Sequence, residues 1–154
     1  MTRLKLFKTS CRPQHGWREV TRYLLDSKIW IYAMNGRYPA VRETLEALPL
    51  DKVFLSDIVL GELAFGWENS KKPAATKRKV EQFLAHFPRL YTDEATTKVY
   101  EQLRQSLQSR GTPIGMNDFW IAAQAMYHKI ILMTHNTPEF ERVGGLKLVD
   151  WVRT

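Results

Sequence analysis

The chain has 154 residues and a formal net charge of +7, a length that suits one domain around a single core. Hydrophobic residues at 44% and charged residues at 25% are globular averages, which argues against a fibrous, coiled-coil or disordered chain. The longest apolar run, Ile29–Met34, falls far short of the ~20 residues a membrane-spanning helix needs, and a single cysteine, Cys11, allows no disulfide framework or multi-cysteine metal centre within the chain. A reducing, cytoplasmic setting is the expectation.

In chain order, residues 1–21 show neither a helical nor an alternating pattern and contain Pro13 and Gly16. They read as a basic N-terminal extension, without the continuous apolar segment of a secretory signal. Six basic residues against Glu19 place +5 in the first 22 residues and leave +2 for the remainder. The rest of the charge is local, in the run Lys71, Lys72, Lys77, Arg78 and Lys79, a weak cue to a polyanionic partner.

Residues 22–154 form one domain of alternating elements. Tyr23-Leu24-Leu25, Val53-Phe54-Leu55, Ile130-Ile131-Leu132-Met133 and Leu146-Lys147-Leu148-Val149 read as strands, with Arg89-Leu90-Tyr91 a weaker one. Apolar spacings of three and four predict helices over 39–48, 57–68, 74–87, 93–109 and 117–128. For the fourth, Thr92 is the expected N-cap, and Arg110-Gly111 followed by Pro113 is the expected stop. Strands separated by helices imply a mostly parallel sheet covered on both faces, a three-layer α/β/α sandwich.

Ligands of such a sheet collect at the carboxyl ends of its strands. Asp26 ends the first strand, where a buried carboxylate needs a partner, a proton or a metal. It serves equally well as a cap for the following turn. Glu62 lies on a helix stripe with Ile58, Val59 and Phe65, and a buried Glu without a partner is rare. Asp118 opens an apolar helix, and Asn136 and Glu139 follow the strand ending at Met133. Carboxylates gathered at one sheet edge repel unless a cation neutralises them. Oxygen donors without Cys suit Mg²⁺ or Mn²⁺, which can activate water for phosphodiester hydrolysis.

Four segments then carry a resemblance. They are Leu24–Ser27, Ser56–Gly66, Gly111–Ala125 and Thr134–Val143. In order and spacing they resemble the motifs of PIN-domain ribonucleases, and within these the VapC toxins of VapBC toxin–antitoxin modules. The resemblance runs from about Arg22 to Trp151. It implies a PIN fold and Mg²⁺- or Mn²⁺-dependent endonucleolytic cleavage of tRNA or another structured RNA. It also implies a homodimer inhibited by a VapB-type antitoxin, in a heterotetramer or larger complex. Asp26, Glu62 and Asp118 then occupy the catalytic, metal-binding positions. Asn136 stands where many relatives have a fourth acid, which Glu139 could replace; Ser27 stands for the usual Thr, and Asn117 is a supporting residue.

Lys28 departs from the usual Asn and is expected to compete with the metal or pair with Asp26. The basic run Lys71–Lys79 and an exposed aromatic such as Trp67 or Trp30 are candidates for RNA contact. A second reading, prompted by Lys28 and Asn136, is a catalytically weak PIN module that binds RNA or a partner protein. A receiver-like phospho-acceptor lacks its acidic pair and late Lys, and His15, His86, His128 and His135 show no spacing for a His-based nuclease.

Overall fold

The computed structural model describes residues 21–153. Residues 1–20 of the expected basic extension lie outside the described residues. The chain folds as β1 (Tyr23–Leu25), α1 (Ser27–Asn35), α2 (Pro39–Ala47), β2 (Val53–Ser56), α3 (Asp57–Glu68) and α4 (Pro73–Leu84). It continues as β3 (Arg89–Leu90), α5 (Glu94–Ser109), α6 (Met116–His128), β4 (Ile131–Met133), α7 (Thr137–Phe140) and β5 (Leu148–Val149).

All pairings in the five-stranded sheet are parallel, in the order β3-β2-β1-β4-β5. Tyr23, Leu24 and Leu25 pair with Ile131, Leu132 and Met133. Strands covered on both faces need no alternation, and Leu24, Leu25, Val53, Leu55, Leu132 and Met133 are all fully buried. Because β1 leads outward to β2 and β3 on one side while β4 and β5 build the other, the strand order reverses between β1 and β4. That reversal opens a crevice at the carboxyl ends of these two strands.

Helix α1 is absent from the sequence-based assignment. Its run Ile29–Met34 contains β-branched and aromatic residues that favour strands, but tertiary packing decides otherwise. Asp26 caps the helix through Ser27 N, and Ile29, Trp30 and Ala33 turn inward. Trp30 packs edge-on against Phe87 at 4.8 Å and Phe83 at 6.3 Å, tying α1 to α4. The short α7 likewise lies outside the sequence-based assignment, because four residues carry no period. The N-cap of α5 is Asp93, not Thr92: the Asp93 carboxylate accepts from Thr96 N at 2.8 Å and Thr96 Oγ1 at 2.6 Å. These bonds hold the Asp93 carboxyl below the usual carboxylate range. The stop of α5 falls at Arg110, with Gly111 at φ 71°.

Helix α6 is the innermost helix, with Phe119, Ile121, Ala122, Ala123, Gln124 and Ala125 all buried. Its one buried polar side chain joins it to β2 and α3. Ser56 caps α3 and donates to Gln124 Oε1, while Gln124 Nε2 donates to Asp57 Oδ1 at 2.7 Å. Asp57 Oδ2 accepts from Thr92 N at 2.9 Å, so the displaced cap candidate secures the end of β3 instead. Replacing a buried hydrogen-bonding group strands its partners. Gln124→Leu is therefore expected to lower stability in urea unfolding by about 1–3 kcal/mol.

Candidate active site

Asp26 follows β1 at the point where the sheet reverses. Its N–H donates to Met133 O at 3.0 Å, continuing the β1–β4 pairing one residue past the strand. Oδ1 accepts from Ser27 N at 2.8 Å and Oδ2 from Thr134 Oγ1 at 3.0 Å. Asp26 thus caps α1 with one oxygen and takes a buried hydroxyl partner with the other. Burial pushes its carboxyl above the usual range, while the bonds from Ser27 and Thr134 and the charge of Lys28 restrain the rise.

Glu62 sits on the face of α3 that meets the crevice. Burial and then the Asp26 charge push its carboxyl up, against hydrogen bonds from Asn117 and Ser27. Its Oε1 is buried with no hydrogen-bond partner. The expected apolar stripe around Glu62 is only partly covered: Val59 is buried, but Phe65 is 74% exposed.

Asp118 is the third residue of α6, whose N-cap is Gly115. Its carboxyl is pushed up to about 7, first by burial and then by the charges of Asp26, Glu139 and Glu62, with a hydrogen bond to Glu139. Asp118 therefore feels the charges of the other three carboxylates. Glu139, on α7, is pushed up by burial, but bonds from Gly115 N and Asn136, the Asp118 contact and Arg142 outweigh this and hold it below the usual range. Glu139 Oε1 accepts from Gly115 N and Oε2 from Asn136 Nδ2, each at 2.7 Å. Asn136 is thus a neutral donor that orients Glu139.

The sequence motifs included Thr134 and Gly115 without giving either a role. Thr134 is fully buried, donating to Asp26 and accepting from Asn136 N at 3.0 Å. A Cβ on Gly115 would stand 3.2 Å from Asp118 Oδ2 and 3.6 Å from Glu139 Oε1, so a side chain there would crowd Asp118 and touch Glu139. A glycine three residues before an acid at a helix start is the only cue to this in the sequence.

Other expectations are corrected. Trp30 is fully buried and Trp67 is 8% exposed, so neither can stack on a base; both serve packing. Lys28 is exposed, and the ion pairs among the described residues are Arg42–Glu46 and His135–Asp150. Lys28 therefore does not sit on the Asp26 carboxylate. Of the basic run, Lys79 alone reaches the cleft of about 450 Å³ that contains Ser27 and Glu62, between α1, α3 and α4. Lys71, Lys72, Lys77 and Arg78 are exposed outside it.

No three Asp, Glu, His or Cys side chains among the described residues stand ready to hold an ion. The donor set nevertheless fits a hard dication. Its donors are carboxylate oxygens, one of them the orphaned Glu62 Oε1, and their mutual repulsion is the kind a cation relieves.

The acids of this crevice at a parallel-sheet reversal follow β1 or lie on α3, α6 and α7, an arrangement in keeping with a PIN domain, and residues 23–146 match the PIN domain family. The chain belongs to that family, among its VapC ribonucleases. It is 35% identical to the tRNA(fMet)-specific endonuclease VapC of Shigella flexneri over 130 residues, 84% of this chain and 98% of that protein. It is 34% identical to Ribonuclease VapC1 of Haemophilus influenzae strain R2866 over 132 residues, 85% of this chain and 98% of that protein. The DNA-bound VapBC structure from Salmonella typhimurium aligns with a TM-score of 0.80 and 30% identity, covering 86% of this chain and 99% of that one. No described helix is long and apolar enough to cross a membrane.

The raised pKa of Asp118 has a consequence for stability. A folded-state value above the unfolded one means that ionisation costs stability. The cost is absent below the unfolded value of 3.8, grows as pH rises, and is complete above about 7. In metal-free protein, Asp118→Asn should therefore raise the melting temperature by more at pH 8 than at pH 5, as measured by thermal denaturation followed by circular dichroism.

Proposed function

We propose that this chain is a metal-dependent endoribonuclease that cuts tRNA or another structured RNA as the toxin of a type II toxin–antitoxin module. The mutual influence of Asp26, Glu62, Asp118 and Glu139 in one crevice carries this reading. Membership of the VapC ribonucleases supports the activity class. The name of the Shigella flexneri relative makes initiator tRNA the first substrate to test.

In this reading Asp26, Glu62 and Asp118 hold Mg²⁺ or Mn²⁺, with Glu139 beside them. When bound, the ion lowers the pKa of a water and stabilises negative charge on phosphate oxygens. The chain's own residues prepare that site. Thr134 and Ser27 N fix the two oxygens of Asp26 in place. Asn136 and Gly115 N orient Glu139, whose hydrogen bond with Asp118 helps hold that carboxyl above the usual range. Glu62 presents an oxygen free of protein partners. Ser27 and Asn117 support the Glu62 carboxylate from α1 and α6.

The working assembly is a homodimer restrained by a VapB-type antitoxin, as a heterotetramer or larger complex. The toxin–antitoxin complexes among its structural neighbours support this. The exposed Phe65, Tyr91 and Met116 are apolar groups that such contacts would cover. The basic run from Lys71 to Lys79 is an RNA-facing surface in the same reading.

The test is incubation of antitoxin-free protein with initiator tRNA and ribosomal RNA in Mg²⁺, Mn²⁺ or EDTA. Discrete cuts should require metal, and Asp118→Asn or Glu62→Gln should slow them by about 100-fold or more, the scale of losing a group that stabilises developing charge. Cleavage that persists in EDTA, or survives Asp118→Asn, would refute the assignment.

A further inference from the structure

An RNA strand can reach four carboxylates only where nearby cations offset their repulsion. At physiological salt, charges separated by more than about 8 Å are largely screened, so the compensating groups must border the crevice itself. Among the described residues three cations do so, each beside a different acid. Lys28 is the second residue of α1, in the first turn of the helix that Asp26 caps, and is exposed; its charge acts on Asp26. Lys79 of α4 lines the cleft that holds Ser27 and Glu62. Arg142, just beyond α7, acts on Glu139, and its Nη1 donates to Pro113 O at 2.8 Å, which holds the side chain against the loop before α6.

None of the three forms an ion pair among the described residues. Each is close enough to influence or share the space of a site acid, yet its charge remains open to solvent. Such a cation can take a phosphate oxygen without breaking an existing bond. Lys28 is the most informative, because an ammonium paired with Asp26 would oppose metal binding, whereas one facing solvent adds to the attraction for a polyanion.

We propose that Lys28, Lys79 and Arg142 form a phosphate-binding rim that grips the RNA backbone on either side of the bond to be cut. The inference rests on the ribonuclease reading above and adds to it the residues that seat the substrate. In that arrangement the rim supplies affinity that is independent of base sequence, and the acids act on the phosphodiester held between its members.

The experiment uses full-length protein carrying Asp118→Asn, so that RNA stays intact, with fluorescein-labelled initiator tRNA and ribosomal RNA at fixed Mg²⁺. Binding is followed by fluorescence anisotropy over a series of NaCl concentrations. Lys28→Gln, Lys79→Gln and Arg142→Gln should each weaken both RNAs about 3- to 10-fold and make the plot of log K against log salt shallower by about 0.7–0.9, the loss of one phosphate contact. Lys28→Arg should restore the slope, and unchanged thermal melts should show that the variants fold. With Asp118 intact, Lys28→Gln should raise KM and leave kcat nearly unchanged.

Variants with the parent's affinity and salt slope would overturn the rim while leaving the nuclease reading intact. So would a Lys28→Gln protein that binds Mn²⁺ more tightly and gains kcat, since Lys28 would then act on the ion and not on RNA. A parent protein that binds neither RNA would overturn both readings.

Discussion

Four carboxylates share one crevice, and much of the structure around it bears on their mutual repulsion. Asp118 feels this most: burial and three neighbouring charges lift its carboxyl to about 7. A parallel sheet makes the crowding geometrically possible. Its strand order reverses between β1 and β4, so the loops that leave these strands diverge and open a crevice at their carboxyl ends. The Asp26 N–H bond to Met133 O places the first acid against β4 itself.

Helix starts help to tolerate the charge. Asp26 is the N-cap of α1, while Asp118 and Glu139 lie in the first turns of α6 and α7. Unpaired backbone N–H groups at such ends carry partial positive charge that favours a carboxylate. Gly115 serves this directly, since its N–H reaches Glu139 and its missing side chain leaves room for Asp118. Glu62 lies in the middle of α3 and is reached by the side chains of Ser27 and Asn117 at the starts of α1 and α6, while its Oε1 is left without a partner.

The positions of the acids depend on polar contacts set in an apolar core. Thr134 is fully buried yet ties Asp26 to the backbone of Asn136, so the loop after β4 moves only if the first acid moves with it. On the other side, Gln124 links α6 to the start of α3 through Ser56 and Asp57, fixing the relative positions of the helices that carry Asp118 and Glu62. Buried hydrogen bonds of this kind are demanding, because each partner lost leaves another unsatisfied. The cations at its border lie in solvent, and of these Arg142 is held by its bond to Pro113 O.

Periodicity alone made most elements legible. Helix α3 spans the 57–68 expected from its apolar spacing, and the alternation of strands with helices implied the layered parallel sheet. Acids in apolar surroundings drew attention to Asp26, Glu62 and Asp118 because isolated buried charge is costly, and the structure gathers them. Local pattern leaves α1 unassigned, because its run Ile29–Met34 carries strand-favouring side chains and the helix is decided by Trp30 packing against Phe83 and Phe87. It also could not tell the buried Trp30 and Trp67 from the exposed Phe65.

The sequence by itself thus carried most of the element types and the class of fold and singled out the acids that meet in the crevice, since these follow from side-chain character and short-range spacing. Only the tertiary structure decided the partners of those residues. Asp26 meets Thr134 across 108 positions and Gly115 meets Glu139 across 24. Contacts between residues so far apart arise from how the strands pair and the helices pack, and no local property of either residue encodes the other.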